Sequence, residues 1–231
     1  MSFIYALNFK MNKTATETNE YMKKFDSQNN TVIICAPFTS IFEIRNNRKD
    51  AIVGAQNVSE FTSGAHTGEI SADMLADLGV KYCIVGHSER RKFNHETDEQ
   101  ISEKISRLME KNITPILCVG EVSKMAFEQS SGFVENQLKL ALKGVQKPVI
   151  VAYEPVWAIG TGDIPINEQI EKMCEFIHNC LNEMDIKAKV LYGGSYNSKN
   201  YKTVNQAKFV DGFLIGGAGL KLDEMELIYK G

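Results

Sequence analysis

The chain has 231 residues, 43% of them apolar and 24% charged, with a formal net charge of -3. That is enough apolar material for one sizeable core, in the size range of single α/β barrels, and the scattered charges of both signs exclude the long basic stripe that a nucleic-acid backbone demands. The apolar opening, residues 1–7, runs straight into Asn8 and Lys10, too soon for a signal core or a membrane span, so a cytoplasmic protein without membrane or nucleic-acid partners is expected. The five cysteines are odd in number and contain no Cys-x-x-Cys pair, which argues against a disulfide framework and against zinc.

Taken in chain order, eight short β-branched runs recur, at residues 3–8, 31–36, 51–56, 81–86, 114–119, 148–153, 189–192 and 209–215. Most are continuously apolar, as expected of parallel strands covered on both faces. Between them lie polar, helix-prone stretches. Residues 97–111 place Ile101, Ile105, Leu108 and Met109 at helical spacing, and residues 167–181 do the same with Ile170, Met173, Cys174, Ile177 and Leu181. Residues 12–16 and 71–73 supply Asn, Thr, Ser and Asp where helix N-caps belong. Eight βα units in this length fit one closed (β/α)8 barrel over residues 1–231. A doubly wound open sheet shares the local pattern, but no Gly-x-Gly-x-x-Gly follows the first strand to support a dinucleotide site.

A βα barrel works at the C-terminal ends of its strands, so the polar residues that end each apolar run are the ones to inspect. Strand one ends in Asn8-Phe9-Lys10, strand four in Gly86-His87-Ser88-Glu89-Arg90, strand six in Tyr153-Glu154-Pro155-Val156-Trp157, strand seven in Gly193-Gly194-Ser195 and strand eight in Gly216-Gly217. Glu154 emerges from a buried strand beside Tyr153 and Trp157, where desolvation is expected to raise its basicity and suit it to a general base. An isolated strand-end glutamate is more often a salt-bridge partner; the company it keeps here reverses that preference. His87 precedes a first helical turn whose positive end disfavours an imidazolium, leaving a neutral ring able to donate to a carbonyl. Lys10 puts positive charge at the barrel mouth, and Ser195 with Gly216 and Gly217 falls where barrels build phosphate sites. Residues 155–162 combine a rigid proline start, an apolar middle and a Gly-Thr-Gly end, the makeup of a lid from which Gly160 offers its backbone N–H to an anion.

These residues resemble the triosephosphate isomerase family across essentially the whole chain, through Asn8-Phe9-Lys10-Met11-Asn12, Gly54-Ala55-Gln56-Asn57, the Gly64 to Glu69 segment, Gly86-His87-Ser88-Glu89-Arg90-Arg91, Cys118-Val119-Gly120-Glu121 and, above all, Tyr153-Glu154-Pro155-Val156-Trp157-Ala158-Ile159-Gly160-Thr161-Gly162. The resemblance implies a TIM barrel that interconverts dihydroxyacetone phosphate and D-glyceraldehyde 3-phosphate through an enediolate, without a cofactor, in glycolysis and gluconeogenesis. It makes Glu154 the base, His87 the electrophile and Lys10 the stabiliser of developing charge. It lines the substrate site with Asn8, Lys10, Gly160, Ser195, Gly216 and Gly217. It also implies a homodimer in which the Gly64 to Glu69 loop brings Thr67 near Asn8 and Lys10 of the partner. Lys13 stands where the family commonly has glycine, and Gly219 replaces its usual serine.

Two other classes of protein fit parts of this pattern. Another phosphate-binding barrel enzyme needs either clustered metal ligands at strand ends or a lysine in a central strand, where strand six presents Glu154 instead. A non-catalytic barrel kept for binding has no use for Asn8, Lys10, His87 and Glu154 together.

Overall fold

Each strand serves two apolar surroundings at once, because successive side chains point to opposite faces. In β2 (Thr31–Ala36), Ile33 and Cys35 join a core that also holds Ala6, Ile84, Ile116, Ile150, Leu191 and Leu214, whereas Val32, Ile34 and Ala36 join a larger one that includes residues of the helices. The smaller cluster draws alternate residues from the strands around the sheet and fills the barrel interior. The larger is the layer between strands and helices. Period-two alternation is therefore present but invisible to hydropathy, since both faces demand apolar residues.

The computed structural model describes residues 3–47, 51–159 and 165–230. The other strands are β1 (Ile4–Asn8), β3 (Ile52–Ala55), β4 (Tyr82–Val85), β5 (Thr114–Val119), β6 (Val149–Tyr153), β7 (Ala188–Tyr192) and β8 (Gly212–Ile215). They form a closed barrel in sequence order, all pairs parallel, so the open-sheet alternative falls. Closure joins Ile4 to Thr31 on one side and to Gly212 on the other. A side chain at Gly212 would run into the Ile4 backbone, so glycine is what lets the last strand reach the first. Each expected run matches one strand, β7 beginning one residue ahead of its run at Ala188. The longest overshoot is at 209–215, where Phe209 has a left-handed φ of 62° and belongs to the preceding turn.

The helices are α1 (Ala15–Lys24), α2 (Ile41–Asn47), α3 (Ala72–Asp77), α4 (Ser88–Phe93), α5 (Asp98–Glu110), α6 (Phe127–Ala141), α7 (Asn167–Glu183), α8 (Tyr201–Val204) and α9 (Leu222–Tyr229). Thr14, Ser71 and Thr97 cap α1, α3 and α5, and the Thr14 and Thr97 caps are completed as capping boxes by Glu17 and Gln100. The faces read from helical spacing are the buried ones, with two additions: Cys180 of α7, and Lys104 of α5, which is buried beside Ile101, Ile105 and Leu108, its ammonium donating to Glu96 at 2.5 Å and to Asn57 Oδ1 at 2.9 Å. All five cysteines are buried thiols. Among the described residues no helix is long and apolar enough to cross a membrane.

Asp211, just ahead of β8, locks the β7–β8 seam. Its carboxylate accepts from Lys189 Nζ at 2.8 Å and from the Val190 N–H at 2.9 Å, and stands 3.4 Å from His178 Nε2. Burial alone would raise its pKa, but the donors from His178, Lys189 and Val190 outweigh that and hold it at about 2. A depressed folded-state pKa stabilises the protein above the unfolded value of about 3.9 and stops doing so as pH falls through the folded value. The shift would be worth about 2.5 kcal/mol at face value, but the Lys189 side chain is 59% exposed and screening reduces this to about 1–2 kcal/mol. Asp211→Asn is expected to lose that amount in urea unfolding at pH 7, with the difference from wild type shrinking between about pH 4 and pH 2.

Candidate active site

The C-terminal strand ends meet around a crevice of about 230 Å³ that is lined by Asn8, Lys10, His87, Glu154, Ser195, Gly216 and Gly217. These are the expected site residues, brought together from five strands. Gly160, expected in the lid, lies outside the described residues, as do Thr161 and Gly162.

Lys10 reaches the crevice through a strained backbone. Its φ is 51°, a left-handed conformation that costs a non-glycine residue about 1–2 kcal/mol. Three hydrogen bonds hold the turn: the Lys10 N–H donates to Asn8 Oδ1 at 2.9 Å, and the Gln56 amide donates to the Lys10 carbonyl at 3.0 Å and to the Cys35 carbonyl at 2.9 Å. Asn8 is thus a buried structural acceptor as well as part of the lining. The Lys10 ammonium stands 2.5 Å from Glu89 Oε1, whose side chain is about half exposed.

His87 is the N-cap of α4, and its position fixes its tautomer. The Glu89 N–H donates to Nδ1 at 3.2 Å, so in the neutral ring the proton sits on Nε2, which donates to Glu154 Oε1 at 3.0 Å. The other carboxylate oxygen of Glu154 accepts from the Ser88 N–H at 3.0 Å. Both side chains are nearly sealed from solvent, Glu154 at 2% exposure and His87 at 5%.

This arrangement corrects the expected electrostatics. Desolvation is the largest influence on Glu154 and pushes its pKa up, but the charge and hydrogen bond of His87 and the Ser88 N–H together carry it below the ordinary carboxylate value. For His87, burial pulls the pKa down, and the facing Glu154 and Glu89 carboxylates more than compensate, leaving it raised. The helix terminus does not settle the imidazole by itself; its neighbour carboxylate does. As the pair stands, His87 and the Ser88 N–H stabilise Glu154 as a carboxylate.

Ser195 donates its hydroxyl to the Ala158 carbonyl at 3.2 Å, tying the end of β7 to the 3-10 turn Val156–Ala158 that opens the proposed lid. Gly216 leads into a second 3-10 turn, Gly217–Leu220, and a side chain at Gly216 would crowd the Lys10 methylenes. Two supports were not assigned a role in the sequence. Gln56 stabilises the Lys10 turn. Glu121, 3% exposed just past β5, accepts from Tyr153 Oη at 3.1 Å and from Trp157 Nε1 at 2.6 Å, bracing the 3-10 turn Val156–Ala158. A buried carboxylate directly after an apolar run was the signal available for Glu121. Among the described residues no three His, Cys, Asp or Glu side chains are grouped to hold a metal ion.

An eight-stranded parallel barrel that gathers a carboxylate, an imidazole and an ammonium at one rim, beside glycine-built turns, defines a (β/α)8-barrel enzyme of the acid–base type. The family model for triosephosphate isomerase matches residues 3–231. The chain is 40% identical over 236 residues to the triosephosphate isomerase of Mycoplasma mobile, covering 96% of both chains, and 40% identical over 228 residues to that of Mesomycoplasma hyorhinis, covering 94% of this chain and 93% of the relative. It is 37% identical over 236 residues to the triosephosphate isomerase of Alkaliphilus metalliredigens, with 95% of each covered. The chain belongs to the triosephosphate isomerase family, and its activity is triose-phosphate isomerisation.

Proposed function

We propose that the whole chain acts as one catalytic domain in which Glu154 moves a proton between adjacent carbons of dihydroxyacetone phosphate and glyceraldehyde 3-phosphate, with His87 and Lys10 stabilising the oxygen. The observation that carries this reading is the pair of hydrogen bonds on Glu154. A substrate carbonyl that takes the His87 Nε2–H must displace the carboxylate, and that exchange releases the base as it engages the electrophile. Once His87 has let go of Glu154, less opposes the desolvation that pushes its pKa up, and its proton affinity rises. The expected gain in basicity thus arises on substrate binding. The enediolate oxygen then finds the imidazole N–H and the Lys10 ammonium, preorganised in a site from which water is excluded. Ser195 with the backbone of Gly216 and Gly217, joined by Gly160, receives the phosphate.

The working form is a homodimer in the cytoplasm. Supporting the dimer, the loop around Thr67 is exposed, with Phe61 stacked on His66 at 3.8 Å between ring centroids, and Met11 is 97% exposed. A groove of about 510 Å³ opens beside Lys10, lined in part by Met11, Phe38, Gln56 and Phe93. A projecting loop and a groove beside Lys10 suit a two-fold interface, where a loop of each copy can fill a groove of its mate. Thr67→Arg, a bulky charge in that loop, is expected to weaken dimerisation and activity together. An active dimer of this variant in the ultracentrifuge would refute the placement. The reaction itself is tested by a coupled assay of the purified protein on glyceraldehyde 3-phosphate, with and without chelator. Fast, chelator-resistant conversion that vanishes in Glu154→Gln supports the assignment; no conversion by folded wild type overturns it.

A further inference from the structure

The hydrogen-bond ladder between β4 and β5 leaves one backbone donor without its natural partner. The ladder starts with the Thr114 N–H on the Lys81 carbonyl at 2.9 Å and uses alternate residues of β5. Continued past the end of β5, that alternation assigns the Gly120 N–H to the carbonyl of His87. That carbonyl is already taken, by the N–H groups of Arg90 at 2.8 Å and Arg91 at 3.1 Å, because His87 begins α4. Starting the helix that orients His87 therefore costs β5 an acceptor.

A buried side chain from another element supplies it. Gln137 of α6, 4% exposed, turns its Oε1 to the Gly120 N–H at 2.8 Å. Gly120 in turn presses on the backbone of Glu154, so closely that a methyl group there would overlap the Glu154 carbonyl. The flanking bonds join the same two segments: the Glu154 N–H donates to the Val119 carbonyl at 2.7 Å, and the Val156 N–H to the Glu121 carbonyl at 3.0 Å. Gly120 is thus a shelf against which Glu154 rests, and its own amide is fixed from α6.

We propose that Gln137 is a positioning residue for the reaction: its side-chain carbonyl replaces the acceptor lost to α4, and by fixing Gly120 it sets the height of the Glu154 backbone. The inference rests on Glu154 being the base. A buried polar group that does not itself line the crevice has this leverage because displacement of a catalytic group by about 1 Å can cost on the order of 10²-fold.

Gln137→Met keeps the volume and removes the acceptor. It is expected to lower kcat by roughly 10-fold with KM within about 2-fold, and to speed hydrogen exchange at the Gly120 amide. Leu138→Ala on the same helix serves as the stability control, since it leaves a cavity in a fully buried position while keeping the Gln137 acceptor of the Gly120 N–H. Should Gln137→Met fail to fold, Gln137→Asn, whose carbonyl is too short to reach, carries the same expectation. Wild-type kcat in a folded Gln137 variant, or an equal kcat loss in Leu138→Ala, overturns the proposal. Glu154→Gln assayed alongside separates the two claims: activity there overturns the base assignment, whereas an inactive Glu154→Gln beside a normal Gln137→Met overturns only the role of Gln137.

Discussion

Replacing Glu154 by aspartate is expected to reduce turnover on the order of 10²-fold while KM changes little, because one methylene retracts the carboxylate by roughly 1 Å from the carbon it must reach. The backbone gives no means of compensating. Gly120 blocks movement on one side, and on another the approach at Gly193 is tight enough that a side chain there would meet Glu154 Cγ at 3.0 Å. The shortened carboxylate also reaches His87 Nε2 and the Ser88 N–H less well, so the resting pair loosens. Steady-state kinetics in both directions, with thermal unfolding to confirm the fold, checks this. Near-normal turnover would remove Glu154 as the base.

Lys10→Met is expected to cost more, on the order of 10²–10³-fold in kcat/KM, equivalent to roughly 3–4 kcal/mol of lost charge stabilisation at the oxygen. Because an anionic substrate also loses attraction in the ground state, part of the loss falls on KM. Stability should hardly change. Methionine at this position carries the same left-handed backbone penalty, the Gln56 and Asn8 contacts are to the backbone, and the Glu89 partner is 44% exposed, so its ion pair contributes little to folding. Loss of activity through unfolding, seen as a drop in Tm that matches the drop in rate, would contradict the assigned role.

These two residues also mark the limits of what local reading reaches. Glu154 and Lys10 were legible as site residues because Glu154 directly follows an apolar run and Lys10 stands two residues past the end of one, and in a barrel that places them at one rim. Their electrostatics were not legible. Strand-end burial suggested a carboxyl with a raised pKa, whereas His87 and the Ser88 N–H, the latter 66 residues away in sequence, hold it lowered. The same holds for Gln56 and Gln137: each reads as an ordinary polar residue, and its meaning comes from the carbonyl or N–H that a distant strand end leaves unpaired.

The sequence by itself determined the number and order of the strands, the caps of α1 and α3, the buried faces of α5 and α7, and the residues at the rim. Those features follow from local periodicity and from the chemistry of single residues, which a linear chain states directly. Tertiary structure alone decided that the barrel closes at Gly212, that Lys104 is buried against Glu96, and that Glu154 rests on His87 with Gly120 at its back. Each of those depends on which backbone groups and charges meet across the sheet. Such meetings are set by close packing and by the need to satisfy every buried polar group, and no local pattern encodes them.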